Sequence, residues 1–194
     1  MKRRHAAVHI ALTGALFLGA TSFTGTRASA TAGQSNDTAP VQLDVVTGKK
    51  TKPARGNIAN VHIPAIGVTT PLKRGIGDNV LAKGLGLWPG TGKIGQPGNA
   101  VIAGHRTSFT RPLYDIHKMK RGDSIFFTTA QGVAEYRVTK SQIVKPNAMW
   151  ITRPTKASTI TLFACHPPHS IAYRWVVFAK LHSMTPHKAV RLSQ

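Results

Sequence analysis

The chain has 194 residues, enough for one compact domain with end segments that need not fold with it. Twenty-six Lys and Arg stand against six Asp and Glu, for a formal charge of +20, and there is one cysteine. This excludes an internal disulfide, supplies too few carboxylates for a glycosidase dyad or an oxygen-rich calcium site, and directs a positive surface toward polyanions.

The basic residues are scattered along the chain, with no zinc-finger spacing, basic-region heptad or RNP-like aromatic motif among them. No nucleic-acid partner is therefore expected, and anionic wall polymers or phospholipid head groups account for the charge equally well. At the N-terminus, Lys2, Arg3 and Arg4 precede a mostly apolar stretch from Ala6 to Phe23, followed by the small-residue pattern Ala28-Ser29-Ala30. Residues 1–30 are thus read as an export signal or an N-terminal membrane anchor. The apolar run is shorter than the roughly 20 residues a spanning helix prefers, so cleavage and retention both stay open.

Residues 31–56 are rich in Thr, Ala, Gly, Lys and Pro and read as a flexible linker. The folded domain is expected over 57–182, followed by a basic tail over 183–194. It opens with Ile58-Ala59-Asn60-Val61-His62-Ile63-Pro64, which alternates as a half-buried strand does. Further strands are expected at Ala100 to Ala103, Ser124 to Thr129, Ala134 to Val138, Thr159 to Ala164 and Trp175 to Leu181. Gly and Pro clusters between them, such as Trp88-Pro89-Gly90-Thr91-Gly92, mark turns. The one helical turn expected lies around Leu113 to Met119, with Leu113, Ile116 and Met119 on a shared face. Many short strands at this spacing predict an all-β barrel or sandwich.

Neither the Gly-x-Ser-x-Gly elbow nor a Walker-type phosphate loop is present. The lone thiol, Cys165, closes the apolar run Ile160-Thr161-Leu162-Phe163-Ala164, after which His166-Pro167-Pro168-His169-Ser170 turns the chain toward Arg174. If the flanking strands pair, thiol and guanidinium share one end of the sheet. His105 follows Ala100-Val101-Ile102-Ala103 and Gly104, so it too projects from a strand end. A cation or imidazole beside a thiol promotes the nucleophilic thiolate.

Taken singly, each residue has a plainer reading. An isolated cysteine is more often a small buried hydrophobe, and a His in a turn or an Arg in an edge strand is most often solvated. A second reading gathers Cys165, His166, His169 and His105 into a mononuclear zinc or copper site, although two prolines stiffen that loop and its spacing fits no familiar finger. A third is a non-catalytic cationic wall-binding module.

Two segments bear on a known family. Ala103-Gly104-His105-Arg106-Thr107 resembles the histidine motif of sortases, and Thr161-Leu162-Phe163-Ala164-Cys165-His166-Pro167 resembles their cysteine strand, with Arg174 at the distance of their arginine. The likeness runs from Val61 to Leu181. Trp88-Pro89-Gly90-Thr91, Gly98-Asn99-Ala100, Arg106 and Cys165-His166-Pro167 further resemble class E sortases of actinobacteria. That class usually carries Tyr in place of Trp88 and Thr in place of Ala164.

The resemblance implies a closed eight-stranded β-barrel with one or two short helices and no cofactor. It implies a cysteine transpeptidase that cleaves a Leu-Ala-x-Thr-Gly or Leu-Pro-x-Thr-Gly signal between Thr and Gly. The acyl group would pass to an amine of a wall precursor or a pilin lysine. Cys165 would be the nucleophile, His105 the acid/base group and Arg174 the oxyanion stabiliser, with Trp88, Thr107 and Ala164 at the substrate groove. The expected location is the outer surface of a Gram-positive cell, with the protein either membrane-anchored or secreted, and the expected partners are surface proteins or pilins bearing the signal.

Overall fold

The structure, a computed structural model, describes residues 53–187. The 1–30 segment, residues 31–52 of the expected linker and residues 188–194 lie outside the described residues. The strands are β1 (Asn57–Ile63), β2 (Val68–Arg74), β3 (Leu85–Leu87), β4 (Gly98–Ala103), β5 (Ser124–Thr128), β6 (Gly132–Val144), β7 (Ser158–His166) and β8 (Tyr173–Pro186). They close into a barrel in the order β1-β2-β3-β4-β7-β8-β6-β5, and β5 pairs back onto β1. The β2–β3 and β4–β7 pairs are parallel, while the others are antiparallel. The expected eight-stranded closed barrel is the architecture observed.

Alternation drives the closure. In β1, Ala59, Val61 and Ile63 are fully buried, and in β7 the side chains of Ile160, Leu162 and Ala164 enter the same core. A strand whose every second residue is apolar must cover that face, and a closed sheet does so without leaving an unpaired edge. The β1–β2 reversal runs through a 3₁₀ turn at Pro64–Ile66 that ends on Gly67 at φ 63°, a left-handed conformation that glycine adopts without steric cost.

Several elements differ from expectation for identifiable reasons. Pro71 lies inside β2 opposite Asn60, and a proline mid-run argues against a strand when only sequence is read. β3 has three residues and Gly86 at its centre, too short and too glycine-rich to signal itself. β6 continues to Val144 through the largely exposed Thr139-Lys140-Ser141-Gln142 segment, where the apolar alternation fades but the ladder to β8 persists. β8 likewise runs past Leu181, with Ser183 to Pro186 paired to Glu135 through Gly132, so this part of the expected tail is strand.

The expected helical turn is a 3₁₀ turn at Ile116–Lys118, and Leu113, Ile116 and Met119 are all buried. The α-helix α1 (Asp78–Leu81), a single turn, was not anticipated. Leu162 sits in the centre of β7, 1% exposed. Leu162→Ala should destabilise the barrel by about 2–5 kcal/mol, measured as a lower midpoint in urea unfolding with an unchanged slope.

Candidate active site

Three strands bring the candidate residues together. β4 runs parallel to β7 with Ala103 opposite Phe163, and two residues further on each chain carries His105 and Cys165. The Gly104 N–H donates to the Phe163 carbonyl at 3.2 Å, which carries the pairing past the end of the strand. On the other side of β7, Cys165 lies directly opposite Arg174 of antiparallel β8. Such cross-strand neighbours hold their Cβ atoms about 5 Å apart.

His105, Cys165 and Arg174 line one cleft of about 280 Å³, together with Trp88, Met149 and Phe163. A larger hollow of about 490 Å³, bounded by Lys83, Arg111 and Asp115, contains none of the three. The cleft is therefore the space in which a thiol, an imidazole and a guanidinium can meet one substrate.

Each side chain is held in a definite way. The His105 carbonyl accepts from the Leu113 N–H at 3.1 Å, its ring lies 5.3 Å from that of Phe109, and its buried Nε2 has no hydrogen-bond partner among the described residues. An unpaired buried ring nitrogen is costly and calls for a reason. Arg174 Nη1 donates to the carbonyls of Ile171 and Tyr173, both at 2.9 Å, so the guanidinium is tied to the β7–β8 loop. Cys165 is a free, half-buried thiol.

Because side chains alternate along β7 and β8, the next residues, His166 and Trp175, turn the other way. They meet Arg106, which follows His105 and is 3% exposed. Arg106 Nε donates to the Tyr114 carbonyl at 3.2 Å, and Nη1 contacts His166 Nδ1 at 2.6 Å and the Cys165 carbonyl at 3.4 Å. Nη2 contacts His117 Nδ1 at 3.0 Å. The Trp175 ring lies 5.3 Å from the His166 ring and 6.2 Å from that of His117.

Burial pulls the Arg106 guanidinium below its usual value, against the opposite pull of Asp115 and Tyr114. The His166 imidazole is pushed down, first by burial and then by the positive Arg106 and by His117. Burial leads both shifts by disfavouring the charged form, and at His166 the neighbouring positive charge adds to it.

Of the residues expected at a substrate groove, Trp88 lines the cleft, with its ring 6.0 Å from that of Phe163. Thr107 is not among the lining residues. Ala164 is 2% exposed and packs in the main core, because with Cys165 facing the cleft its neighbour must face inward. The metal reading fails on the same alternation. His166 turns away from the Cys165 side chain toward Arg106, and among the described residues no three of His, Cys, Asp and Glu gather closely enough to hold an ion. The Arg106–His117–His166 cluster was not anticipated. Its one sequence signal is that each of His105, Cys165 and Arg174 is followed by a side chain able to hydrogen-bond or stack.

A closed barrel presenting a thiol, an imidazole and a guanidinium from three adjacent strand ends defines a recognisable class. The chain belongs to the sortase family, whose sortase domain matches residues 61–182. It is similar to sortase SrtE1 of Streptomyces coelicolor, 29% identical over 184 residues that cover 84% of this chain and 51% of that protein. It is also similar to sortase A of Listeria monocytogenes, 25% identical over 143 residues that cover 73% of this chain and 64% of that one. Among solved structures, sortase E from Streptomyces avermitilis superposes with a TM-score of 0.62 at 30% identity, covering 67% of this chain and 90% of that one. The chain spans about half to two thirds of the length of these curated relatives.

His166 carries a consequence for stability. Its folded pKa lies below the ordinary value of 6.5, so under acid the unfolded chain binds the proton first. The stability its neutral form contributes is complete above that value and is lost as pH falls from there toward the folded value. His166→Gln, which cannot titrate, should flatten this part of the profile, and urea unfolding at a series of pH values from neutral downward measures it.

Proposed function

We propose that this protein is a sortase transpeptidase with Cys165 as nucleophile, His105 as acid/base group and Arg174 as oxyanion stabiliser. The observation that carries this reading is the register: Cys165 stands opposite Arg174, with His105 at the same end of the parallel neighbour, and all three line one cleft.

The Cys165 thiolate attacks the Thr carbonyl carbon of the sorting signal, forming a C–S bond as the carbonyl becomes an oxyanion. Arg174, planar and permanently charged, donates to that oxygen. The tetrahedral intermediate collapses by breaking the Thr–Gly C–N bond, and His105 delivers its proton to the departing glycine amine. An incoming amine then attacks the thioester, His105 takes its proton, and the sulfur leaves as thiolate. The buried Nε2 of His105 has no hydrogen-bond partner among the described residues, so no protein group competes with the substrate for it once the ring turns to the cleft.

The substrates would be surface proteins or pilins with a C-terminal signal, and the acceptor an amine of a wall precursor or a pilin lysine. Similarity to the two class E relatives supports a preference for Leu-Ala-x-Thr-Gly. Trp88, standing where that class usually has Tyr, would shape the groove for that signal. Residues 57–186 would form the catalytic domain outside the cell, with residues 1–30 exporting or anchoring it. The +20 charge would hold the domain close to anionic wall polymers and head groups.

Peptides carrying each signal, with and without an amine acceptor, test this on the purified chain. Cleavage between Thr and Gly, an acceptor-dependent product and faster turnover of the alanine signal are expected; faster turnover of the proline signal would count against class E. Cys165→Ala should be inactive, and Arg174→Lys should lose on the order of 10²–10³ in kcat. Equal rates for wild type and Cys165→Ala would remove the transpeptidase reading.

A further inference from the structure

Each of the three cleft residues has a neighbour on the opposite face of the sheet, and these neighbours converge. Arg106 follows His105, His166 follows Cys165 and Trp175 follows Arg174. The guanidinium of Arg106 is the hub, with contacts to Tyr114, His117, His166 and the Cys165 carbonyl. We infer that Arg106 is a positioning residue for Cys165, clamping the Cys165–His166 segment to the His105 loop from beneath the cleft so that thiol, imidazole and guanidinium keep their spacing.

Three features favour this over a merely space-filling arginine. Its acceptors lie on two separate segments, the end of β7 and the 114–117 stretch, while its own backbone adjoins His105, so one rigid group joins three pieces of chain. No carboxylate is hydrogen-bonded to it among the described residues; both imidazoles accept through Nδ1, which must therefore be unprotonated. Asp115, whose charge acts on Arg106, is instead paired with Lys118 at 3.0 Å. Trp175 lies tilted against the His166 ring and edge-on to the exposed His117 ring, placing the residue beside Arg174 in the same assembly. A planar fork with five donors can serve these acceptors at once, whereas a lysine ammonium can neither span nor orient them.

The inference rests on the transpeptidase reading, and its test separates the two. In the full chain, kcat and KM on a sorting-signal peptide are measured for wild type, Cys165→Ala, Arg106→Ala, Arg106→Lys and His117→Leu, with melting temperatures alongside. Arg106→Ala should lose on the order of 10- to 100-fold in kcat with KM held within about twofold, because a misplaced reactive group costs rate and leaves remote binding intact.

Arg106→Lys should recover little of the lost kcat, and guanidinium at millimolar concentration should restore turnover to Arg106→Ala and leave Cys165→Ala inactive. A folded Arg106→Ala with kcat within about threefold of wild type, or with its whole loss in KM, would overturn the inference. If the Arg106 variants do not fold, exposed His117 decides: a reduced kcat in His117→Leu supports the clamp, and an unchanged one overturns it. A wild type no faster than Cys165→Ala removes the transpeptidase reading and this inference with it. An active wild type beside an equally active Arg106→Ala removes the inference alone.

Discussion

The candidate site depends on the pairing of β7 with both of its neighbours. Antiparallel pairing to β8 sets Cys165 opposite Arg174, and parallel pairing to β4 brings His105 to the same end. A slip of one residue in either ladder would turn the thiol into the core and Ala164 into the cleft, because side chains alternate with period two. The register is held by burial: Ile160, Leu162 and Ala164 fill the barrel from β7 while Val177 and Ala179 fill it from β8, and neither set can face water without large loss. The hydrophobic core thus specifies the chemistry at the rim.

Alternation also gives the strand ends two working faces. On the cleft side stand His105, Cys165 and Arg174; on the other stand Arg106, His166 and Trp175. A guanidinium that is 3% exposed would be a heavy desolvation burden without partners, and here its N–H groups are directed at two carbonyls and two imidazoles. Burial, with the positive Arg106 and His117 beside it, disfavours protonation of His166. A buried polar group adjoining a reactive one confers rigidity where an apolar filler would confer only volume.

Much of the barrel was legible because its strands carry local signals. β1, β4, β5 and β7 show apolar runs or alternation bounded by glycine and proline, and their expected limits fall within a few residues of those observed. β2 and β3 were not legible, since Pro71 and Gly86 contradict strand propensity and only the neighbours that pair with them override it. The ends of β6 and β8 were missed for a related reason. At these ends the extending strand is largely exposed and lacks alternation of its own, and the ladder to a partly buried partner strand is what keeps it extended.

The sequence by itself determined the lone thiol, the strand that ends on it, the histidine and arginine motifs and their order, and with them the family resemblance. These are covalent facts of spacing and local pattern. Tertiary structure decided which side chains share a face: Trp88 joins the cleft, Ala164 and His166 leave it, and Arg106 turns inward to meet His117 from a distant turn. No local pattern encodes such meetings, because they follow from register and closure, which only the packed barrel imposes.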